Sequence, residues 1–462
     1  MTPKMSKSVN YSTKTTPLPQ TVCFGRMSGM DSGNIRISGA LDDFGGCRPL
    51  CVRDGRLVDF LSDGALIDFS GSPFKVLALP APADVHVHLR EPGFEYKETI
   101  ATGTAAAAAG GFTDVCAMPN LRPVPDSTES LRPQLDAIGS SARIRVHPYG
   151  AITKGEAGRE LADIAGLAPY VVAFSDDGKG LQDEGVAREA FAAVRETGKP
   201  LAAHCEVESL VPSGGCVHMG AFSDARSLVG IPSASEWRMV ERDLGIVRDT
   251  GVRYHVCHVS TKESVELIRA AKRDGLPVTC ETAPHYLILR DGDLADEGRF
   301  KMNPPVRGAD DRDALLEGIA DGTIDCIATD HAPHSPSEKG RGLAGSAFGI
   351  VGLETSLPLC ATFLVKRGIF SWPQLVDRMS TRPRAIFGLP PAGLSAGSGA
   401  NAVFVAVGVD DKVDPGKFLS KGRATPFAGW PLAARVVLTL IDGRPAYDNL
   451  ASIGVRSPFP KP

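Results

Sequence analysis

Residues 84–100 read DVHVHLREPGFEYKETI, and the turn that follows the first six of them decides the fold. DVHVHL has the texture of a strand, in which successive side chains point to opposite faces. His86 and His88 are therefore expected on one face, with Val85, Val87 and Leu89 on the other. A strand running into the helical segment YKETIATGTAAAAAGG opens a βα unit, and two architectures are built of such units. An open doubly wound sheet wants a glycine-rich phosphate turn after its first strand, and HLREPG is not one. A closed (β/α)8 barrel wants no such turn, only seven further units.

The seven are present. After ADVHVHL come FTDVCAM, ARIRVHPYG, YVVAFSDDG, PLAAHCE, VRYHVCHVS, PVTCETA and IDCIATDHAPH, separated by helical stretches such as VAREAFAAVRETG and TKESVELIRAAKRDG. Several of these stretches end in the glycine that commonly follows a helix. Outside the barrel, residues 22–79 are short, β-rich and punctuated by Asp-Gly turns, and the same texture returns after Gly399 in NAVFVAVG and ARVVLTLIDGRPAYD. The fold class is thus α/β, a (β/α)8 TIM-like barrel with a small β-sandwich domain built from both terminal segments. The expected division is a disordered tail over 1–20, the N-terminal half of the β-sandwich over 21–80, the barrel over 81–390, and the C-terminal half of the β-sandwich with a tail over 391–462.

Bulk properties narrow the function. A chain of 462 residues with 43% hydrophobic and 23% charged residues and a net charge of −4 has no electrostatic bias towards nucleic acid or anionic membrane, so neither is an expected partner. No apolar run is long enough to span a bilayer. The ten cysteines include no C-x-x-C pair, and Cys116, Cys205, Cys257, Cys280 and Cys326 lie in apolar strand-like runs, which fits a reducing, cytoplasmic setting. The first thirty residues lack Asp and Glu but hold Lys4, Lys7 and Lys14. With no arginine before Arg26 and no amphipathic helix, they read as a tail rather than a targeting leader.

In barrels of this kind chemistry gathers at the C-terminal ends of the strands. Strand one ends in His86, His88 and Arg90, strand two in Asn120, strand four in Asp176 and Asp177, strand five in His204, strand six in His258 and strand eight in Asp330. Four imidazoles with carboxylates form a nitrogen and oxygen donor set without thiolate, suited to Zn2+ or a similar divalent ion with room left for solvent. Asp330 is then the general base and later the acid. His255 has the parity opposite to His258 and is expected to pack outward. His147, His218 and His285 read as structural, His331 points away from the metal, and His334 in the next loop can reach a substrate. The Gly- and Ser-rich segment Ser335–Gly349 reads as a mobile lid unable to build a core.

From about Asp84 to Trp430, HVHLREPG, KETI, GGFTDVCAMPN, RPVPDS, FSDDG, HCE, HVCHVSTKESVELI, KMNPPVR, GTIDCIATDHAPH and FGIVGLET together resemble the dihydroorotases of the amidohydrolase superfamily, in their longer, first-class type. The resemblance implies that His86, His88, Asp177, His204 and His258 bind one or two Zn2+ ions, with Asp177 as the bridging ligand. It implies that Asp330 is both metal ligand and proton shuttle, and that Arg90, Asn120, Asn303, His334, Phe348 and Gly349 hold substrate. It further implies reversible cyclisation of N-carbamoyl-L-aspartate to L-dihydroorotate, and either a homodimer or association with aspartate transcarbamoylase. Three departures from the family pattern touch no ligand: PAPADVH before strand one, Leu121 after MPN, and Ala347 before Phe348.

Two other readings compete. Dihydropyrimidinases, hydantoinases and allantoinases bridge their metals with a carbamylated lysine on strand four, whereas FSDDG offers only Lys179 beyond the turn; they also lack the arginine after H-x-H. A non-catalytic scaffold subunit of a transcarbamoylase would have lost metal ligands that are all retained here.

Overall fold

The computed structural model describes residues 34–42, 45–46 and 49–460. The tail expected over 1–20 and the leader-like stretch lie outside the described residues. Four short strands, β1 (Ile35–Ser38), β2 (Leu50–Arg53), β3 (Arg56–Val58) and β4 (Ala65–Asp68), form a sheet in the order β3-β2-β1-β4. The β2–β3 hairpin turns through Asp54 and Gly55, both at positive φ, the two-residue geometry that matches strand twist. β5 (Lys75–Pro80) belongs to a different sheet and leads directly into the barrel.

The barrel strands are β6 (Ala83–Val87), β7 (Asp114–Ala117), β8 (Arg145–Pro148), β9 (Leu201–Ala203), β12 (Tyr254–Val256), β13 (Val278–Thr282) and β14 (Cys326–Ile327). A two-stranded excursion, β10 (Val217–His218) and β11 (Gly230–Ile231), follows β9 in the chain. All barrel pairings are parallel. The fourth sequence-read strand, around Phe174, forms single bridges to Gly150 and Leu201 rather than a regular ladder. Its backbone still bonds on both sides, Val172 N–H to Pro148 O and Phe174 N–H to Pro200 O. The circle closes where Val87 bridges His331 and His88 N–H donates to His331 O at 2.9 Å.

The helices between strands bury one stripe each. Lys262–Arg273 turns Val265, Ile268 and Ala271 inward behind the Thr261 cap. Glu184–Thr197 starts on the Asp183 cap and stops at Gly198, whose φ of +69° a side-chain-bearing residue adopts at a cost. The alanine-rich Ile100–Ala109 is buried on most faces, which is why it needs small residues. Inside the barrel, Ala83, Val85, Cys116, Met118, Ala173, Ala202, Cys257 and Ala328 fill the lower layers with Phe387 and Leu389. These last two mark the N-terminal end of the strands, because Arg384 beside them bonds Ala81 O and Pro82 O.

Two parity expectations fail here. Val85 packs among the inner residues, apart from Val87 and Leu89, because the β6–β7 register shifts between Asp84 and Val87 and breaks the alternation. His255 is fully buried and turned inward, its ring 5.0 Å from that of Phe387. His258 nevertheless reaches the same interior, since its φ of +34° resets the alternation at the strand end.

β15 (Ala402–Lys412), β16 (Pro431–Ile441) and β17 (Arg444–Asp448) complete a second sheet, β17-β16-β15-β5, with β15 antiparallel to both neighbours. Its inner face meets the first sheet around Ile37, Ile67, Phe69, Val76, Phe404 and Leu438, with the Phe69 and Phe404 rings stacked at 5.5 Å. The segment Ser335–Gly349 is packed rather than coreless. Leu343 is fully buried, and Lys339 Nζ donates to Lys301 O and Ala347 O.

Candidate active site

The C-terminal ends of the strands surround a cavity of about 280 Å³ lined by His88, Arg90, Asn120, Asp177, His204, His258, Asn303, Asp330, His334, Phe348 and Gly349. His86 lies just beneath it, fully buried. Three of these side chains, Arg90, His258 and Asp330, stand on residues with positive φ (62°, 34° and 47°), a costly conformation that turns them off the strands into the mouth.

Asp177 is the hub. Its Oδ1 lies 3.5 Å from His86 Nε2, 3.6 Å from His258 Nε2 and 3.9 Å from His204 Nδ1, and its Oδ2 lies 3.5 Å from His88 Nε2. Asp330 Oδ1 stands 3.3 Å from His88 Nε2 and 3.6 Å from His86 Nε2. Most of these separations exceed a hydrogen bond yet suit two donors of one cation. The donors fall into two overlapping groups, His86 with His88 and Asp177, and His204 with His258 and Asp177.

Orphaned atoms test whether a metal fits. His86 Nε2 and Asp177 Oδ1 are buried without a hydrogen-bond partner. His86 Nδ1 is 2.7 Å from Glu281 Oε1, and a carboxylate only accepts, so Nδ1 carries the proton. In the neutral ring that leaves the Nε2 lone pair facing carboxylate oxygens of Asp177 and Asp330. Buried lone pairs so placed demand a positive charge between them, and a divalent ion on an imidazole and carboxylate set meets that demand.

Burial pulls the His86 imidazole down, but the Asp177 and Glu281 carboxylates outweigh it and hold it well above its ordinary value, so with no cation between these groups a proton on His86 supplies the positive charge. Burial pushes the Asp177 carboxyl up, but the facing His86, His258 and His88 imidazoles outweigh it and hold it well below the usual range. For Asp330 too, burial is outweighed by His88 and His86, and the carboxyl stays below its ordinary value. His334 is pushed down to about 3 by burial and by the Arg90 and Lys97 charges, so it is neutral at pH 7.

At the rim, Arg90 Nε donates to Pro333 O at 3.3 Å and one Nη lies 3.4 Å from His334 Nε2. Glu91 and Glu95 are engaged with the backbone N–H groups of Ile100 and Gly93. Asn120 Nδ2 donates to Asp177 O at 2.6 Å, and Asn303 Nδ2 to Glu206 at 3.1 Å, while both Oδ1 atoms are buried and unpaired. Asp176 points away, accepting from Ile152 N, Thr153 N and the Thr153 hydroxyl. Lys179 Nζ donates to Glu156 O, and His331 turns from the hub towards Glu98.

Sequence reading passed over Glu281, which bonds His86 with one oxygen and His255 with the other at 3.2 Å. A lone acid inside the apolar strand PVTCETA was the available signal. Lys97, whose Nζ lies 3.2 Å from His334 Nδ1, gave none.

A closed (β/α)8 barrel with a shared-carboxylate His/Asp centre at its mouth defines a metal-dependent hydrolase of the amidohydrolase type. A family model described as dihydro-orotase-like matches residues 75–264. A dihydroorotase of Bacillus cytotoxicus is 46% identical over 402 residues, 86% of this chain and 93% of its own length. One from Halalkalibacterium halodurans is 47% identical over 390 residues, 84% of this chain and 90% of its own. Among solved structures, the L-hydantoinase (dihydropyrimidinase) of Arthrobacter aurescens superposes with a TM-score of 0.80 at 25% identity, covering 90% of this chain and 96% of that one. The dihydropyrimidinase of Brevibacillus agri, at 19% identity and a TM-score of 0.78 over 90% of this chain and 95% of its own, shares the fold. The chain belongs to the dihydroorotase family of cyclic-amide hydrolases.

Proposed function

We propose that this site interconverts L-dihydroorotate and N-carbamoyl-L-aspartate, a step of de novo pyrimidine synthesis, with Asp330 as the proton carrier. The observation that carries the reading is the convergence of unpartnered His86 Nε2 and Asp177 Oδ1 on a point also faced by His88 and Asp330. His86, His88, Asp177 and Asp330 would hold one Zn2+ ion, and Asp177, His204 and His258 a second. When bound, such ions lower the pKa of water and polarise the ring carbonyl.

The protein's own groups do the rest. Asp330 is ionised at neutral pH and takes the proton that water gives up as its oxygen bonds the carbonyl carbon. As the ring C–N bond breaks, Asp330 returns that proton to the leaving nitrogen, and closure runs the same steps backwards with loss of water. Arg90 meets the ring carboxylate with its planar fork. His334 Nδ1 faces Lys97 Nζ at 3.2 Å and its Nε2 faces an Arg90 Nη at 3.4 Å; both cations only donate, so the neutral ring accepts from one of them and stands beside the substrate at the mouth. The unpaired amide oxygens of Asn120 and Asn303 accept from ring N–H groups, and Phe348 and Gly349 wall the site.

Metal analysis beside a dihydroorotate hydrolysis assay tests this. His88→Ala should lose metal and nearly all turnover, and full turnover in a metal-free His88→Ala protein would overturn it. The finer expectations are a cytoplasmic setting, supported by eight buried free cysteines among the described residues, and a homodimer or a complex with aspartate transcarbamoylase. Light scattering with and without that partner reads the last two. No helix among the described residues is long and apolar enough to cross a membrane.

A further inference from the structure

Two glutamates have no role in the chemistry above, Glu98 of KETI and Glu354 of FGIVGLET. Glu98 lies between β6 and the helix Ile100–Ala109, and Glu354 follows the segment Ser335–Gly349; both grip one stretch of the connection between β15 and β16, Leu419–Lys421, just before Gly422. Glu98 is fully buried and accepts from the Ser420 hydroxyl and, at 3.2 Å, from Lys421 N–H. Glu354 accepts from Leu419 N–H at 2.9 Å and Ser420 N–H at 3.1 Å. Ser420 is buried, and its oxygen also accepts from Gly422 N–H.

This held segment reaches the loop that bears Asp330 and His334 by two routes, indirectly through Glu98 and directly at Gly422. Glu98 Oε2 faces His331 Nε2 at 3.5 Å. Because Gly352 N–H donates to His331 Nδ1, the neutral ring carries its proton on Nε2, towards Glu98. Gly422 lies so close to the loop that a Cβ there would meet Pro333 Cβ at 2.8 Å and Val351 Cγ1 at 2.5 Å. His331 and Pro333 flank the loop between Asp330, held at φ +47°, and His334, and Pro333 O accepts from Arg90.

We propose that the Leu419–Gly422 segment, seated between Glu98 and Glu354, sets the position of Asp330 through His331 and Pro333, making Ser420 and Gly422 positioning residues for the reaction. The inference rests on Asp330 being the proton carrier. Geometry of a general base is exacting, and displacement of reacting groups by on the order of 1 Å can cost about 100-fold in rate. The β domain thereby supplies some of the active-site scaffold rather than an appendage.

The test uses the full-length, metal-loaded protein with Ser420→Ala, Ser420→Thr, Gly422→Ala, Asp330→Asn and, as a reference in the same connection, the exposed Lys417→Ala. Ser420→Ala and Gly422→Ala should each lower kcat for dihydroorotate by roughly 10- to 100-fold with KM within about twofold and metal content unchanged. Ser420→Thr, which keeps the hydroxyl, should recover most of the loss, and Lys417→Ala should match the parent protein. If Ser420→Ala does not fold, Gly422→Ala reads the segment's direct contact with Pro333 without deleting a hydrogen bond. Unchanged kcat in the folded variants, a rise in KM alone, or a loss of rate that only tracks lost metal would overturn the proposal. An inactive Asp330→Asn beside fully active Ser420 and Gly422 variants would overturn it alone. Full activity in Asp330→Asn would overturn the proton-carrier reading beneath it.

Discussion

Replacing Arg90 with Met should change which cyclic amide the enzyme accepts more than it changes how fast the enzyme works. The guanidinium is half-buried, desolvation pulls it below its usual pKa, and its acidic sequence neighbours are engaged elsewhere. Among the described residues its neighbours are Pro333 O at Nε and His334 Nε2 at one Nη, which leaves further N–H groups to meet a substrate carboxylate. A charge-assisted bond to that carboxylate contributes about 1.5–3 kcal/mol, or roughly 10- to 150-fold in kcat/KM for dihydroorotate. The bond from Nε to Pro333 O is long and neutral on one side, about 0.5–1.5 kcal/mol, and its loss slows every substrate alike. Dihydrouracil, which lacks the carboxylate, should therefore lose no more than about tenfold. Parallel kcat/KM measurements on both compounds, with metal content recorded, give the ratio that matters. Equal losses on the two would refute the assignment and place Arg90 in the support of the Asp330–His334 loop alone.

Glu281→Gln should weaken metal binding by about 10- to 100-fold, because an amide oxygen in place of the carboxylate makes the His86 imidazole a weaker donor; chelator competition measures it, and unaltered affinity would refute the role. Asp177→Asn should strip metal from both donor groups, and wild-type activity should not respond to bicarbonate, whereas mass evidence for a carbamylated lysine would refute the aspartate bridge. His285 is fully buried and pushed down to about 4, so its unfolded form binds a proton near pH 6.5 before the folded form does. It therefore costs stability as pH falls below 6.5, about 2 kcal/mol between pH 7 and 5. His285→Leu should flatten the acid side of the melting-temperature profile, and an equally steep profile would exclude this cause.

Much of this architecture was legible because strand ends advertise themselves. A histidine pair, an FSDDG and a TDHAPH, each closing an apolar run, locate the mouth of a barrel before any coordinate is known. Parity was less dependable. Period-two reasoning assumes an unbroken strand, and it misplaced Val85 across a register shift and His255 before a left-handed His258. A single buried leucine, Leu343, was enough to seat a segment whose composition suggests only a loop. Glu98 and Glu354 sat in plain sight within quoted motifs, but their partners lie 322 and 65 residues away, and pairing at that range leaves no trace in one sequence.

β5 pairs with β15, so the second sheet joins segments about 320 residues apart in the chain. On a ribosome adding about 5–20 residues per second, β5 waits roughly 15–60 s for its neighbour. During that interval KVLALP has no β15 to pair with, and the whole barrel is made between the two halves. A strand left in that state is a template for pairing with another chain. Lys75 and Pro80, at its two ends, are the residue types that discourage such pairing. Overexpression at high temperature, where many nascent chains carry this strand at once, should therefore favour aggregates whose contacts begin at residues 75–80.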